Sequence, residues 1–274
     1  GMSITYNALL TIFITNHAFY ETLKEALKEA NCKLEYAATA GHSWGLYNAL
    51  VASEAIDFES TLKFVNRRAH LIDDYFKEKD LSLMALVPKN KNTWGEIYSE
   101  ELEKMLKVYG FYIAAFNSPT VIIIGGPRDN IEAANSKLSE QGIKGIAFDD
   151  GIAPHTPYME ELKTPLERTV GQLKIQDANV SVVANSSSEI IQRSEDIREE
   201  LYYDLISQVR WVQSIKKLEQ TVKPIQYIIL GGDIRNVISR LVKEIIPDSS
   251  ERVFVVNNAD SLEETVARLA KQSL

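Results

Sequence analysis

The sequence predicts an α/β fold in which a mainly parallel sheet is covered by helices on both faces and interrupted by a compact inserted module. Three observations lead there. Short apolar, β-branched runs alternate with stretches of helical period along most of the 274 residues. Residues 82–146 depart from that alternation and read β-α-β-β-α-β. The composition, 45% apolar and 25% charged, is that of a globular chain and excludes wholesale disorder.

In order along the chain, residues 7–30 read as an amphipathic helix, with Leu9, Leu10, Phe13, Phe19, Leu23 and Leu27 on one face. A strand over 34–40 runs into Gly41-His42-Ser43-Trp44-Gly45 and a helix over 46–52. Asp57 is placed as the N-cap of a helix over 58–79. Within the module, strands are expected over 81–87, 111–116, 121–125 and 143–148, and helices over 93–109 and 128–141. The turn residues Asn117, Ser118 and Pro119 separate its middle strands. This is a ferredoxin-like arrangement, expected to form a lid at 82–146 on a large domain made of 1–81 and 147–274. After the loop 151–157, helices are expected over 158–173, 197–207, 211–219, 234–245 and 261–272, with strands over 180–184, 226–230 and 252–256. Residues 186–196 are polar and read as a loop. Gly1 ahead of Met2 reads as the remnant of a cleaved tag and is set aside.

Composition narrows the function. Lys and Arg number 30 against 38 Asp and Glu, a net charge of −8, and no basic stripe is present, which argues against nucleic acid as the ligand. No run reaches the ~18 apolar residues of a membrane span, and the apolar start lacks the basic flank of a signal peptide. Cys32 is the only cysteine, so an intrachain disulfide and a multi-cysteine zinc site are both excluded. A reducing, cytoplasmic setting fits that count.

Gly41, Ser43 and Gly45 form a Gly-x-Ser-x-Gly pattern between a strand and an apolar helix. In a nucleophile elbow the serine occupies a strained turn, flanking glycines remove side chains that would clash, and the next backbone N–H, that of Trp44, faces a developing oxyanion. A structural Gly/Ser turn is the competing reading. Four histidines are available as a base. His17 and His70 fall on polar helix faces, and His42 adjoins Ser43 but diverges from it, which makes it a pocket wall. His155 follows Pro154, with Thr156 and Pro157 suited to N-cap and N1 positions, so the positive end of a helix would keep its imidazole neutral. An exposed loop histidine is the alternative. Arg68 lies within the apolar arc of Leu62, Phe64, Val65, Ala69, Leu71, Ile72 and Phe76. An inward guanidinium needs an anion, either a buried Asp or Glu or a substrate carboxylate. Gly231-Gly232 lacks a dinucleotide or P-loop pattern and reads as a tight turn, Asp149-Asp150 as a solvated pair. No histidine–carboxylate set has metal-ligand spacing.

Taken together, these residues resemble the malonyl-CoA:acyl-carrier-protein transacylases and the acyltransferase domains of polyketide synthases. Asn7-Ala8-Leu9-Leu10 is similar to the family's Gln-Pro-Ala-Leu helix start. Residues 41–50, GHSWGLYNAL, resemble its Gly-His-Ser-Leu-Gly-Glu-Tyr-x-Ala-Leu elbow. Asp57-Phe58 with Val65 and Arg68 resembles Asp-Phe…Val-x-x-Arg, and Phe116-Asn117-Ser118-Pro119 a lid motif. Residues 153–159, APHTPYM, resemble Ala-Phe-His-Ser-x-x-Met, and Val209-Arg210-Trp211 with Ser214 resembles Pro-Val-Arg-Trp…Ser, with Gln208 in the proline's place. The resemblance implies an α/β-hydrolase-like large domain with the ferredoxin-like lid, Ser43 as nucleophile and His155 as base, the latter oriented by a backbone carbonyl. It implies that Trp44 N–H serves the oxyanion hole, that Arg68 pairs with the carboxylate of a malonyl-type group, and that His42 and Asn117 line the pocket. It also implies malonyl-CoA or a related acyl-CoA as substrate, an acyl carrier protein as partner and no cofactor.

The sequence departs from the family at several points. The family's N-terminal strand and Gly-Gln-Gly-Ser-Gln loop, source of its second oxyanion donor, have no counterpart ahead of Asn7. Leu46 stands for a Glu, Trp44 is bulky, Pro154 replaces an aromatic, and residues 233–236 replace a Gly-Pro-Gly turn. Two further functions stay open on these residues: an acyl-thioester hydrolase that uses the same nucleophile, and a binding or scaffold protein.

Overall fold

The computed structural model describes residues 4–77, 79–90, 97–148, 152–224, 226–231 and 236–272. Helix α1 (Ile4–Glu29) buries Phe13, Leu23 and Leu27 completely, as its period predicts. Strand β1 (Ala38–Ala40) leads through a 3₁₀ turn at Ser43–Gly45 into α2 (Leu46–Ala52). Helix α3 (Phe58–Phe76) starts where expected: Asp57 Oδ1 accepts from Ser60 N–H at 2.8 Å. Its buried face carries Phe64, Val65, Ala69 and Ile72, with Arg68 among them. The expected helix over 158–173 begins instead as a 3₁₀ segment, Pro157–Leu162, before α6 (given below). His17 is half-buried rather than fully exposed: its ring stacks on Phe58 with centroids 4.0 Å apart.

Strands β2 (Leu81–Pro88), β3 (Tyr112–Ser118), β4 (Val121–Pro127) and β5 (Ile143–Ala147), with helices α4 (Glu100–Val108) and α5 (Ile131–Glu140), form an antiparallel sheet of order β3-β4-β2-β5. Met84, Leu86, Ile113, Ile122 and Ile124 on one sheet face pack with Leu102 and Leu106 of α4 and Ala134 and Leu138 of α5. The opposite face carries Ala115, Val121 and Ile123, which join a second core with Trp211, Ile215 and Leu241. Strand β4 also closes on the loop that holds His155. A Cβ on Gly125 would lie 2.9 Å from Ala153 Cβ and 3.0 Å from the Thr156 methyl, so only glycine permits this approach.

The rest of the chain comprises α6 (Lys163–Val170), β6 (Ser181–Val183), β7 (Ile190–Ile191), α7 (Ser194–Tyr203), α8 (Trp211–Thr221), β8 (Tyr227–Leu230), α9 (Val237–Ile245), β9 (Val253–Val256) and α10 (Ala259–Gln272). Parallel pairing occurs as expected, β1 with β6 and β8 with β9. Among the described residues, however, these pairs belong to separate sheets. Strand β1 is shorter than the expected 34–40 because β6 offers only three partners, Ser181 to Val183. The polar loop expected over 186–196 contains β7, antiparallel to β6, and the first turn of α7. Asp149, Asp150, Gly232 and residues 233–235, like the start of the helix expected from 93, lie outside the described residues. No described helix is long and apolar enough to cross a membrane.

Candidate active site

The elbow is built by close backbone packing. Gly41 has no room for a side chain: a Cβ there would lie 2.0 Å from Gly45 C and O and 2.3 Å from Leu46 N. Gly45 is different, since a Cβ would meet nothing within 4 Å and its φ of −64° is helical. The expectation that both glycines relieve a clash holds for Gly41 alone. Ser43 has φ +50°, a left-handed conformation that costs a non-glycine residue about 1–3 kcal/mol and marks a position held by its surroundings.

That backbone aims Ser43 Oγ at His155 Nε2, 2.7 Å away across 112 residues of sequence. His155 is 5% exposed and, like Ser43, has a left-handed φ, +62°. Its N–H donates to Leu205 O at 2.8 Å. Its Nδ1 faces two carbonyls, Asp204 O at 2.7 Å and Ser207 O at 3.2 Å. Carbonyls only accept, so Nδ1 carries the proton and Nε2 is free to accept from Ser43 Oγ–H. Burial is the first cause that lowers the His155 pKa, with Arg68 adding to it and Asp204 opposing. The sequence assigned that neutrality to a helix end. Thr156 does stand at the N-cap, but desolvation is what keeps the imidazole neutral.

Arg68 is 4% exposed, and its anion is Asp204, itself 1% exposed: Nη2 lies 3.1 Å from Asp204 Oδ2. The guanidinium carbon sits 4.8 Å from the Trp44 ring centroid and 5.2 Å from that of Tyr47. Tyr47 Oη donates to the same Asp204 oxygen at 3.0 Å. Asn185 Nδ2 bridges Asp204 Oδ1 and Ser43 O, 3.2 Å from each. Glu200 accepts from Asn185 N–H at 2.7 Å and Ser186 N–H at 3.0 Å. Burial, reinforced by the nearby Asp204 charge, raises its pKa to about 6.

His42 Nε2 and Asn117 Oδ1 are 2.7 Å apart, and His42 meets Trp211 edge-on at 5.3 Å. Desolvation pushes the His42 pKa down to about 4, so Nε2 donates and Asn117 Oδ1 accepts at neutral pH. The structure thus brings Ser43, Trp44, Arg68 and His155 together, with the His42–Asn117 pair beginning one residue from the serine. Sequence reasoning missed Asp204, Asn185, Tyr47 and Glu200. One signal was present for Asp204: it is the lone acid in the apolar and aromatic run 201–206, LYYDLI, four residues after Glu200.

Residues 7–224 match the acyl transferase domain family. The chain is 26% identical over 273 residues to a malonyl CoA-acyl carrier protein transacylase of Bacillus subtilis, covering 99% of this chain and 82% of that protein. It is 29% identical over 216 residues to a polyketide biosynthesis protein of Burkholderia thailandensis, covering 78% of this chain and 18% of that protein. Among solved structures, the malonyl-CoA:acyl carrier protein transacylase of Helicobacter pylori superposes with a TM-score of 0.84 at 22% identity, covering 97% of this chain and 80% of that one. A malonyl-transacylase in complex with a type II polyketide acyl-carrier protein gives 0.83 at 21% identity, covering 96% and 81%. The fold is therefore that of these enzymes, an α/β body with the inserted four-stranded antiparallel module. With most of its length matched by one family, the chain belongs to the acyl transferase domain family.

Proposed function

We propose that this chain moves a malonyl-type acyl group from coenzyme A to the phosphopantetheine thiol of an acyl carrier protein, through an ester on Ser43. The observation that carries the reading is the 2.7 Å contact between Ser43 Oγ and His155 Nε2, with Nδ1 fixed on the Asp204 carbonyl. Family membership supports acyl transfer, and the relatives' names supply the malonyl-CoA and carrier-protein partners.

In the first half-reaction Ser43 Oγ attacks the thioester carbonyl while His155 Nε2 takes the hydroxyl proton. The carbonyl oxygen becomes an oxyanion facing the Trp44 N–H, which lies in the first turn after the elbow, where an amide has no carbonyl a turn behind it. Collapse of the tetrahedral species re-forms the carbonyl and breaks the C–S bond; the leaving thiolate takes the proton from His155. The second half-reaction runs the same steps backwards, with the carrier's thiol as attacking group and Ser43 Oγ as leaving group. Arg68 contacts Asp204 through Nη2 alone. Its Nε and Nη1 meet no acceptor among the described residues and can receive the distal carboxylate. His42 and Asn117 wall the pocket, and residues 82–146 act as the lid over it. Every group these steps use belongs to the chain itself, so the mechanism calls on no cofactor. A cytoplasmic setting, with Cys32 unpaired, suits the substrate.

Incubation with malonyl-CoA followed by intact mass measurement tests the proposal. The expected result is a malonyl adduct on the wild type that Ser43→Ala lacks; no such difference overturns it. One observation favours a second reading, hydrolysis of acyl thioesters: Arg68 already has an internal anion, so its presence does not require a charged substrate. Product formation that is equally fast with and without acceptor carrier would select the hydrolase.

A further inference from the structure

The Arg68–Asp204 pair sits inside the acyl site, and neither partner is free to leave it. Asp204 is 1% exposed and both its oxygens are engaged, Oδ2 by Tyr47 Oη and Arg68 Nη2 and Oδ1 by Asn185 Nδ2. Arg68 is walled by the rings of Trp44 and Tyr47. An acyl carboxylate that docks on the remaining edge of this guanidinium therefore meets a second carboxylate only the width of that group away. Two like charges sharing one cation in a site shielded from water repel strongly. An uncharged acyl chain escapes that repulsion.

We propose that Asp204 is a specificity-determining residue: by sharing Arg68 it cancels much of the advantage of a free carboxylate, so that the pocket takes short uncharged acyl thioesters as well as malonyl-type ones. This rests on the acyl-transfer reading above and names its substrate class. Asp204 acts on the acyl group through Arg68, whereas its backbone carbonyl serves His155. Substitution of the side chain therefore separates the two roles.

The test compares kcat/KM for malonyl-CoA and acetyl-CoA, with a phosphopantetheinylated carrier as acceptor and Ser43 adducts followed by intact mass. The wild type is expected to prefer malonyl-CoA by less than about a hundredfold. Asp204→Asn is expected to raise that preference at least about tenfold, mainly through a lower KM for malonyl-CoA. A wild-type preference above about a hundredfold overturns the proposal, as does a folded Asp204→Asn enzyme whose preference is unchanged or lower. If Asp204→Asn does not fold, as judged by circular dichroism, the wild-type ratio decides alone. A Ser43 adduct from neither thioester refutes the transfer reading itself, a result distinct from an adduct formed with the wrong preference.

Discussion

On the Ser43–His155 side of the site, position is set by the main chain. Ser43 and His155 both have left-handed φ values, Gly41 packs directly against the Gly45 backbone, and the imidazole is oriented by the carbonyls of Asp204 and Ser207. On the Arg68 side, position is set by side chains: the Asp204 carboxylate, itself held by the Tyr47 phenol and the Asn185 amide, and the rings of Trp44 and Tyr47 flank the guanidinium. Residue 204 belongs to both sides, to the first through its carbonyl and to the second through its carboxylate. On the function proposed above, the chemistry then rests on backbone geometry, while selection of the acyl group rests on side chains.

The largest expected effects fall on the main-chain side. His155→Ala, which leaves Ser43 with no base, should slow acylation about 10²–10⁴-fold in single-turnover measurements. The Arg68 side should respond in stability first. Arg68→Met leaves the Asp204 carboxylate buried without its cation, which costs about 3–5 kcal/mol in denaturant unfolding. Pairing Arg68→Gln with Asp204→Asn removes both charges and keeps hydrogen-bonding groups in place, so most of that loss should return. If the double variant is as unstable as Arg68→Met, the pair is a structural requirement of the fold and the contrast between the two sides fails.

The same division explains what was legible in the sequence. Gly41, Ser43 and His155 were found because strained, closely packed backbone restricts residue type so tightly that it leaves a motif. The inward direction of Arg68 was legible from helical period, since a cation on an apolar face stands out. Its partner was not named, because an ion pair 136 residues apart follows from packing that no local pattern encodes. The four-stranded module was readable because its strands run five to eight residues, long enough for their own composition to mark them. The larger body was harder. Its strands β1, β6 and β8 are only three or four residues long, and β1 pairs with β6 from far along the chain, so their ends are fixed by the neighbour and not by their own composition.

Acid sharpens the comparison, because buried groups beside the site titrate with opposite signs. His42 is held near 4 in the folded chain against an ordinary 6.5, and His155 is lowered too. The unfolded chain therefore binds more protons as pH falls through 6.5, and stability is lost from there down toward pH 4. Glu200 works the other way. Its pKa is raised to about 6 from 4.5, so the folded chain takes up its proton first and gains stability as pH falls from 6 to 4.5. Thermal unfolding of Glu200→Gln should accordingly show a steeper loss between pH 6 and 4.5 than the wild type. An identical slope would mean that Glu200 titrates normally. The rate of Ser43 acylation should fall to half its plateau only at a pH below the ordinary histidine value, since burial lowers the pKa of the His155 imidazole.

The smallest expected effect lies inside the elbow itself. Gly41 and Gly45 occupy equivalent places in the sequence pattern, yet only Gly41 is confined by its neighbours. Gly41→Ala would drive a methyl into the Gly45 carbonyl and should unfold the turn. Gly45 has a helical φ of −64° and open space where a methyl would stand. At such a position alanine reduces the freedom of the unfolded chain without straining the folded one, which stabilises by about 0.4–1 kcal/mol. Denaturant unfolding of Gly45→Ala should show a gain of that size. A loss of 1 kcal/mol or more would mean that the turn needs both glycines after all, and that the main-chain side is constrained well beyond the contact between Gly41 and Gly45.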